Sequence, residues 1–286
     1  MSYQIITDSC CDFPEQLYKD LGLTYVRLTV NFNGKAYDHY TESWLQDMYA
    51  GLRKGAATQT SAVNPEGWKS IIAPVLEKGQ DALVLAFSSG LSTTYQSAHI
   101  AAEELMEVYP GRKVLVVDTL CASLGQGLFV YHACKQRDAG LSLEELYGWC
   151  EENKLHLCHW FTVDDLMYLK RGGRVSAATA LVGTMLQIKP VLHVDNEGHL
   201  INVSKVRGRK ASIEALAKKM GETFFPSKND TVFICHGDCM EDAQYLAKLV
   251  KDAYGVKEVM IYYTGAVIGS HSGPGTLALF YLGEHR

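Results

Sequence analysis

The sequence predicts an α/β protein of two domains: an N-terminal domain with a parallel, doubly wound sheet, and a C-terminal α+β domain with a mixed or antiparallel sheet. In residues 1–153, strand-like runs alternate with helix-like segments, which is typical of a parallel sheet. The second half, residues 154–286, contains strand-like runs at 190–194 and 200–204 around a tight turn, which indicates antiparallel pairing. We therefore place the domain boundary near Asn153.

The elements of the first half follow from apolar periodicity and from helix-capping residues. Thr41 and Asn64 stand at predicted helix starts, and Ser142 with Glu145 forms a predicted capping box. Asn33-Gly34 predicts a turn, after which residues 37–40 extend a short hairpin. Strands are predicted at residues 3–7, 23–32, 82–86 and 113–117. Helices are predicted at residues 14–21, 41–52, 64–77, 98–109, 123–137 and 142–153.

The second half begins with a predicted strand at residues 156–162. A capping box of Asp238 and Glu241 is expected to start one of its helices. Further strands are predicted at residues 190–194, 200–204, 231–235 and 259–263. Helices are predicted at residues 163–168, 176–186, 212–223 and 238–254. The chain should end in a polar loop over 265–275 and a short apolar segment to Leu282.

Composition and charge exclude several classes of protein. Of the 286 residues, 47% are hydrophobic and 21% charged, which is typical of a globular chain. The net charge of −5 argues against a general nucleic-acid binder. There is no signal peptide and no apolar run of the roughly 18 residues that a membrane span needs, so we expect a cytoplasmic protein without an integral membrane segment.

Metal and nucleotide sites are not predicted. Cys235 and Cys239 have no second cysteine pair at zinc-ligand spacing, and reduced thiols are the expectation for the eight cysteines. No glycine pattern of a phosphate-binding loop follows a strand, which argues against nucleotide-driven chemistry.

Three hydroxyl- or glycine-rich loops are the candidate binding elements: residues 58–61, 88–94 and 269–275. The second follows a buried strand and precedes a helix, the position where open α/β sheets bind ligands. Its Ser88 and Ser92 either cap the helix or bind an anion at the helix start. In the third loop, His271 is either a structural hydrogen-bonding residue or a donor or base at a ligand.

A serine hydrolase is an alternative that uses the same loops. Ser92 and His271 would be nucleophile and base if the loops meet, with Asp8 or Asp118 as the orienting acid. However, Gly269-Ser-His-Ser-Gly273 has histidine at the centre of the G-x-S-x-G pattern, so it is not a nucleophile elbow.

Basic residues form a further candidate surface in this acidic chain. They are either solvated faces or a docking patch for an acidic partner or a phosphorylated ligand. The residues concerned are Arg171, Arg174, Arg207, Arg209 and Lys210.

These motifs, in this order, resemble those of the DegV family of bacterial fatty-acid-binding proteins over nearly the whole chain. The resemblance rests on five stretches: Thr7-Asp8-Ser9, Thr60-Ser61, Ser88-Ser-Gly-Leu-Ser92 with Thr94-Tyr-Gln-Ser97, Leu169-Lys-Arg-Gly-Gly-Arg-Val-Ser176, and Gly269 to Gly275.

The resemblance implies a non-catalytic carrier that holds one long-chain fatty acid, such as palmitate, stearate or oleate, in a tunnel between its domains. It implies that the carrier presents the carboxylate to a separate fatty acid kinase, which makes acyl phosphate for phospholipid synthesis, and that no resident cofactor is needed. By the same resemblance, the carboxylate is bound by Thr60, Ser92 and His271, with Ser61 and Thr93 beside them. The kinase-docking residues would be Arg171, Arg174, Arg207 and Arg209.

The sequence departs from the family pattern at two places. Ala62-Val-Asn-Pro65 stands where the family has Gln-Pro-Ser-Pro, and Thr93 stands where it has Gly. Both changes bear on loop shape and head-group geometry. Chain-length preference would depend on the residues at the end of the tunnel, for which the candidates are Met185, Leu186, Ile188 and Phe280.

Overall fold

The computed structural model describes residues 3–176, 187–225 and 230–286. The predicted helix over residues 176–186, beyond its first residue, lies outside the described residues. The same holds for the tunnel candidates Met185 and Leu186.

Strands and helices alternate along most of the described chain. The strands are β1 (Tyr3–Asp8), β2 (Thr24–Val26), β3 (Thr29–Phe32), β4 (Lys35–Tyr37), β5 (Thr58–Ser61), β6 (Asp81–Ala86), β7 (Val114–Asp118), β8 (Leu157–Thr162), β9 (Ile188–Val194), β10 (Leu200–Arg207), β11 (Thr231–His236), β12 (Glu258–Tyr263) and β13 (Leu277–Leu282). The α-helices are α1 (Glu15–Asp20), α2 (Glu42–Arg53), α3 (Pro65–Glu77), α4 (Thr94–Val108), α5 (Leu124–Asp138), α6 (Leu143–Asn153), α7 (Met167–Arg171), α8 (Arg209–Thr223), α9 (Met240–Tyr254) and α10 (Ala266–Ser272).

Three sheets organise the described chain. The first is parallel, in the order β2-β1-β6-β7, as the alternation of strands and helices predicted. The second has the order β10-β9-β8-β13-β11-β12 and is mixed, because only β11 and β12 run parallel. A small antiparallel sheet, β4-β3-β5, accompanies them. The predicted α/β class is confirmed, while the boundary near Asn153 stays a prediction.

Local capping explains why several helices start where the sequence predicts. Thr41 Oγ1 accepts a hydrogen bond from Trp44 N at the start of α2, and Asn64 Oδ1 accepts one from Gly67 N at the start of α3. Ser142 begins α6 with its capping box complete. Each cap satisfies a backbone N–H that the helix itself leaves without a partner.

Two segments predicted as loops form regular structure. Residues 58–61 are strand β5, in which Thr60 lies opposite Val30 of β3. Residues 266–272 are helix α10, whose Ser270 hydroxyl donates to the Ala266 carbonyl. In both cases the polar composition misled the prediction, because pairing with a distant strand and packing of a small-residue face supply the stability.

Other boundaries differ for identifiable reasons. The predicted strand 23–32 divides into β2 and β3, which belong to different sheets. Helix α7 begins at Met167, later than predicted, because the Asp165 carboxylate accepts its backbone N–H. The predicted capping box at α9 is wrong: Asp238 has a positive φ of 58° and its carboxylate pairs with Arg53. The apolar segment ending at Leu282 is β13, a central strand.

Helix α5 joins the two large sheets. It packs on β8, β11 and β13 of the mixed sheet and on α6, and its Gln126 amide donates to Thr7 and Asp8 of β1 in the parallel sheet. Its Leu124, Leu128 and Phe129 are completely buried, within the largest apolar cluster. Among the described residues, no helix is both long enough and apolar enough to cross a membrane.

Candidate functional site

A cavity of about 490 Å³ lies where the carboxyl ends of β5 and β6 meet α10 and the mixed sheet. Such a volume falls in the range of roughly 300–1,000 Å³ typical of small-molecule sites. Most of its walls are apolar, and these side chains are Leu28, Phe87, Leu91, Phe161, Leu169, Val194, Leu200, Val267, Ile268 and Phe280. A smaller set of polar side chains lies among them, which is the arrangement expected for a long apolar ligand with a polar end.

The hydroxyl-rich segment after β6 forms one side of the cavity and is held by two carboxylates. Asp8 at the end of β1 accepts the Phe87 N–H at 2.8 Å and the Gln126 amide at 3.2 Å. Asp118 at the end of β7 accepts the Ser89 N–H at 3.1 Å. Burial raises the pKa of Asp8 to about 6, although these hydrogen bonds oppose the shift. Both candidate orienting acids of the hydrolase alternative therefore bind backbone groups of this segment.

Ser88 fixes the same segment to the mixed sheet. Its buried hydroxyl donates to the Gly198 carbonyl at 2.9 Å, in the turn between β9 and β10, so it does not cap α4. Gly90 lies so close to this turn that an added Cβ would be 2.8 Å from the Glu197 and Gly198 carbonyl oxygens. Only glycine fits there without displacing backbone.

Ser92 lies in the cavity wall just before α4. Its Oγ is 2.8 Å from Thr94 Oγ1 and accepts the Thr94 N–H at 3.2 Å. The hydroxyl thus accepts the backbone N–H of the first residue of α4 and also lines the cavity, while its binding of an anion stays a prediction. Thr93, beside it, is exposed and lines the cavity, whereas Ser61 is exposed and does not.

Thr60 and His271 are in contact at the cavity wall. The sequence pattern alone could not show this contact, because the two residues are far apart in the chain. Thr60 Oγ1 on β5 lies 2.7 Å from Nε2 of His271 on α10. Burial, and secondarily the nearby Arg174, lowers the pKa of His271 to about 4, so the ring is neutral near pH 7. A neutral ring with its proton on Nε2 donates to Thr60 and leaves the Thr60 proton free for a ligand.

Gly172 holds the His271 ring from the other side. A Cβ at Gly172 would be 2.2 Å from Nδ1 of His271, so the residue must remain without a side chain for the ring to keep its place. Gly172 belongs to one of the motifs that resemble the family, where the sequence alone indicates no role for it; this contact with His271 supplies one.

Arg174 lies at the same end of the cavity. Its guanidinium donates to the Leu91 carbonyl from Nε at 3.2 Å and from Nη2 at 3.0 Å, and to the Gly172 carbonyl from Nη1. It therefore connects the backbone next to Ser92 with the glycine against His271. Burial lowers the pKa of Arg174, and the group remains the nearby positive charge of the site.

The other basic residues lie elsewhere. Arg171 is exposed and stacks over Tyr168, with 4.5 Å from its guanidinium carbon to the ring centroid. Arg207 ends β10 and makes no ion pair within the described part of the chain. Arg209 is bound to Asp242 at 2.8 Å and lies 3.7 Å from Asp164.

His159 is a lining residue that the sequence analysis missed. Its Nδ1 donates to the Leu157 carbonyl at 3.2 Å and its Nε2 accepts the Ala122 N–H at 3.4 Å, while its ring packs edge-on to Phe280. Burial lowers its pKa well below the usual value. A histidine inside a strand of apolar residues gives no sequence signal of facing a cavity. Of the tunnel candidates in the described residues, Phe280 lines the cavity and Ile188 does not.

Cysteine and carboxylate positions do not assemble a buried metal centre in the described residues. Cys235 Sγ accepts a hydrogen bond from the Thr264 hydroxyl and lies 3.3 Å from Ser123 Oγ, and all eight cysteines, each within the described ranges, are free thiols. In those ranges, potential metal-ligand atoms lie close together in one group of side chains, Asp195, Glu197 and His199, in the surface turn between β9 and β10.

The hydrolase alternative gains no support from this geometry. Ser92 is hydrogen-bonded to Thr94 and His271 to Thr60, so nucleophile and base have other partners. The pattern of a triad requires a direct nucleophile–base contact and a base–acid contact.

Comparison with known proteins identifies the family. The family model of the DegV family, a family described as uncharacterised, matches residues 2–284. The chain belongs to the DegV family. A DegV domain-containing protein of Clostridium perfringens is 44% identical over 286 residues, covering 99% of this chain and 98% of that protein.

Solved DegV structures share the fold. A DegV family protein of Thermus thermophilus, described by its fatty acid binding, is 33% identical with a TM-score of 0.88, over 99% of this chain and 100% of that one. A Thermotoga maritima protein, described as revealing a fatty acid binding function, is 30% identical with a TM-score of 0.83, over 99% of both chains. The mixed α/β fold with a parallel and a mixed sheet is thus that of the DegV structures.

Proposed function

We propose that this DegV protein binds one long-chain fatty acid in the 490 Å³ cavity, as a carrier without catalytic activity. The observation that carries the proposal is a largely apolar cavity lined by a polar group of four side chains, Thr60, Ser92, His271 and Arg174, which we call its polar end. Within it, Thr60 is hydrogen-bonded to His271, and Arg174 to the carbonyls of Leu91 and Gly172. The fatty-acid-binding relatives at 30% identity or more support the same ligand class.

Tail burial supplies most of the affinity in this proposal. A tail of roughly 14 methylenes contributes about 11 kcal/mol gross at about 0.8 kcal/mol each. Association and ordering of the chain remove a large part of that. The tail would lie against the apolar side chains of the lining, which include Phe161 and Phe280.

The polar end would then hold the carboxylate. In this proposal the His271 proton is on Nε2 and is donated to Thr60 Oγ1, and Thr60 donates its own proton to one carboxylate oxygen. Ser92 donates to the carboxylate from the α4 side, where the helix start adds favourable partial charge. His271 acts mainly through Thr60, which refines the expectation that it contacts the ligand directly. Arg174 stabilises the negative charge at short range.

The carboxylate end would be presented to a separate fatty acid kinase that forms acyl phosphate. This step rests on the family resemblance and on exposed arginines that lie outside the cavity. Arg171 and Arg207 are the strongest docking candidates, since Arg209 is bound to Asp242 and Arg174 to backbone carbonyls. We place this carrier in the cytoplasm, with palmitate, stearate or oleate as the cargo.

Titration with oleate tests the binding proposal. Thr60→Val keeps the shape of the side chain and removes the hydroxyl, so affinity should fall about tenfold with an unchanged melting temperature. Ser61→Ala, at the next residue but outside the cavity, should bind as the wild type does. No saturable uptake of oleate by the wild type would refute the proposal.

A further inference from the structure

A second cavity, of about 360 Å³, is lined by Asp12 and by residues that follow it in the chain, such as Tyr18 and Tyr25. It shares no lining residue with the first cavity. Its buried floor is formed by Asp12, Phe13, Tyr18 and Leu45. Its mouth is formed by exposed polar residues, and these are Glu15, Arg27, Asp38, His39, Thr41 and Glu42.

The floor contains two buried polar atoms without a hydrogen-bond partner in the described part of the chain. They are Oδ1 of Asp12 and the hydroxyl of Tyr18, in side chains that are 5% and 3% exposed. Oδ2 of Asp12 accepts the Ser123 hydroxyl, and Oδ1 lies against the Gly265 backbone, which offsets only part of the burial of this carboxyl group. Burial of such atoms is costly unless a ligand satisfies them.

Aromatic rings make up one wall. Tyr18 and Tyr25 stack at 3.9 Å between centroids, and Phe13 packs edge-on to Tyr18 at 5.3 Å. The faces of such rings favour a cation, as the Arg27 guanidinium over Tyr25 at 4.9 Å illustrates. Tyr40 and Tyr262 extend this lining.

The charge of the cavity is negative. Arg27 is paired with Glu15 at 3.4 Å, so their charges largely cancel. Asp38 and Glu42 make no ion pair among the described residues, which leaves these two exposed carboxylates to set the sign. The carboxylates are spread from floor to mouth, and they do not form one of the convergent metal-ligand groups of the described chain.

We propose that this second cavity is a binding site for a small free diamine or polyamine. An ammonium group at the floor would donate to Asp12 Oδ1 and to the Tyr18 oxygen, both of which lack partners. A quaternary ammonium has no N–H to donate, and a single metal ion would need convergent ligands. A second ammonium group would lie near Asp38 and Glu42 at the mouth. The site does not depend on the fatty-acid cavity.

Calorimetric titration of the full chain with putrescine at low ionic strength tests the proposal. We expect one saturable site per chain. Tyr18→Phe removes only the unpartnered hydroxyl, so folding is retained and affinity should fall about three- to tenfold. Tyr109→Phe, at an exposed hydroxyl bound to Glu77, is the matched control and should leave affinity unchanged.

Two further variants test the charges. Asp12→Asn should weaken putrescine binding at least about tenfold. Should that variant fail to fold, the exposed pair Asp38→Asn with Glu42→Gln decides, with an expected loss of about two- to fivefold that shrinks in high salt. The proposal would be overturned if the wild type showed no saturable binding, or if the folded variants bound putrescine as tightly as the wild type. It would also be overturned if equal amounts of tetramethylammonium or magnesium chloride displaced putrescine. Oleate uptake by Tyr18→Phe should stay at the wild-type level.

Discussion

Adding one methyl group at Gly172 tests how the His271 ring is positioned. The alanine Cβ would be 2.2 Å from Nδ1 of His271, far inside contact distance. The backbone itself tolerates alanine, since φ is −73° and ψ is −9° at this position. The steric effect is therefore directed at the ring, and the ring must move away from Thr60, to which it is bound at 2.7 Å.

The expected effect is a loss of fatty-acid affinity together with a modest loss of stability. A neutral hydrogen bond contributes about 0.5–1.5 kcal/mol, so loss of the Thr60–His271 bond should weaken oleate binding about two- to tenfold. Overpacking costs typically about 1–3 kcal/mol of the free energy of unfolding. Oleate titration measures the first quantity and urea unfolding the second.

Gly148→Ala is the matched control, because nothing lies within 4 Å of its added Cβ and it is inside α6. It should stabilise the protein by up to about 1 kcal/mol and leave oleate affinity unchanged. If Gly172→Ala binds oleate as tightly as Gly148→Ala does, the His271 ring does not position the ligand-binding hydroxyl.

Three further predictions concern other groups. Ser92→Ala should weaken oleate binding several-fold without lowering the melting temperature, whereas Ser61→Ala should do neither; equal affinities would remove Ser92 from the site. Burial raises the pKa of Asp12 from 3.8 to about 7, so its protonated form favours the fold. Relative to Asp12→Asn, the wild type should therefore lose up to about 4 kcal/mol of unfolding free energy as pH rises from about 4 to about 8; a difference independent of pH in urea unfolding would contradict this. Arg207→Glu should lower acyl phosphate formation by a fatty acid kinase, while Lys218→Glu on the exposed face of α8 should not, and equal rates would argue against docking through Arg207.

The parts of the fold set by local interactions could be predicted from the sequence. The caps at Thr41 and Asn64 and the box at Ser142 depend on side chains within three residues of the backbone they satisfy. The buried strand β6 was predicted from its continuous apolar run.

The parts set by distant contacts could not. Strand β5 is polar and gains its structure by pairing with β3, which lies some thirty residues earlier. Strand β13 is inserted between β8 and β11, a position that no local pattern specifies. Asp238 fits a capping box by spacing, yet its carboxylate pairs with the distant Arg53 instead.

The candidate site divides in the same way. The hydroxyls of Thr60 and Ser92 and the ring of His271 were predicted as cavity residues from motifs that resemble the family, and they line one cavity. Arg174 was assigned to docking, since a basic run in the sequence does not show which guanidinium is directed inward. The contact of Gly172 with His271 is visible only in three dimensions.

Native mass spectrometry of the purified protein, followed by denaturation and lipid analysis, tests the central claim most directly. The account predicts a mass excess equal to one long-chain fatty acid per chain, released on denaturation. A mass equal to the polypeptide alone, with no uptake after addition of palmitate, stearate or oleate, would contradict it.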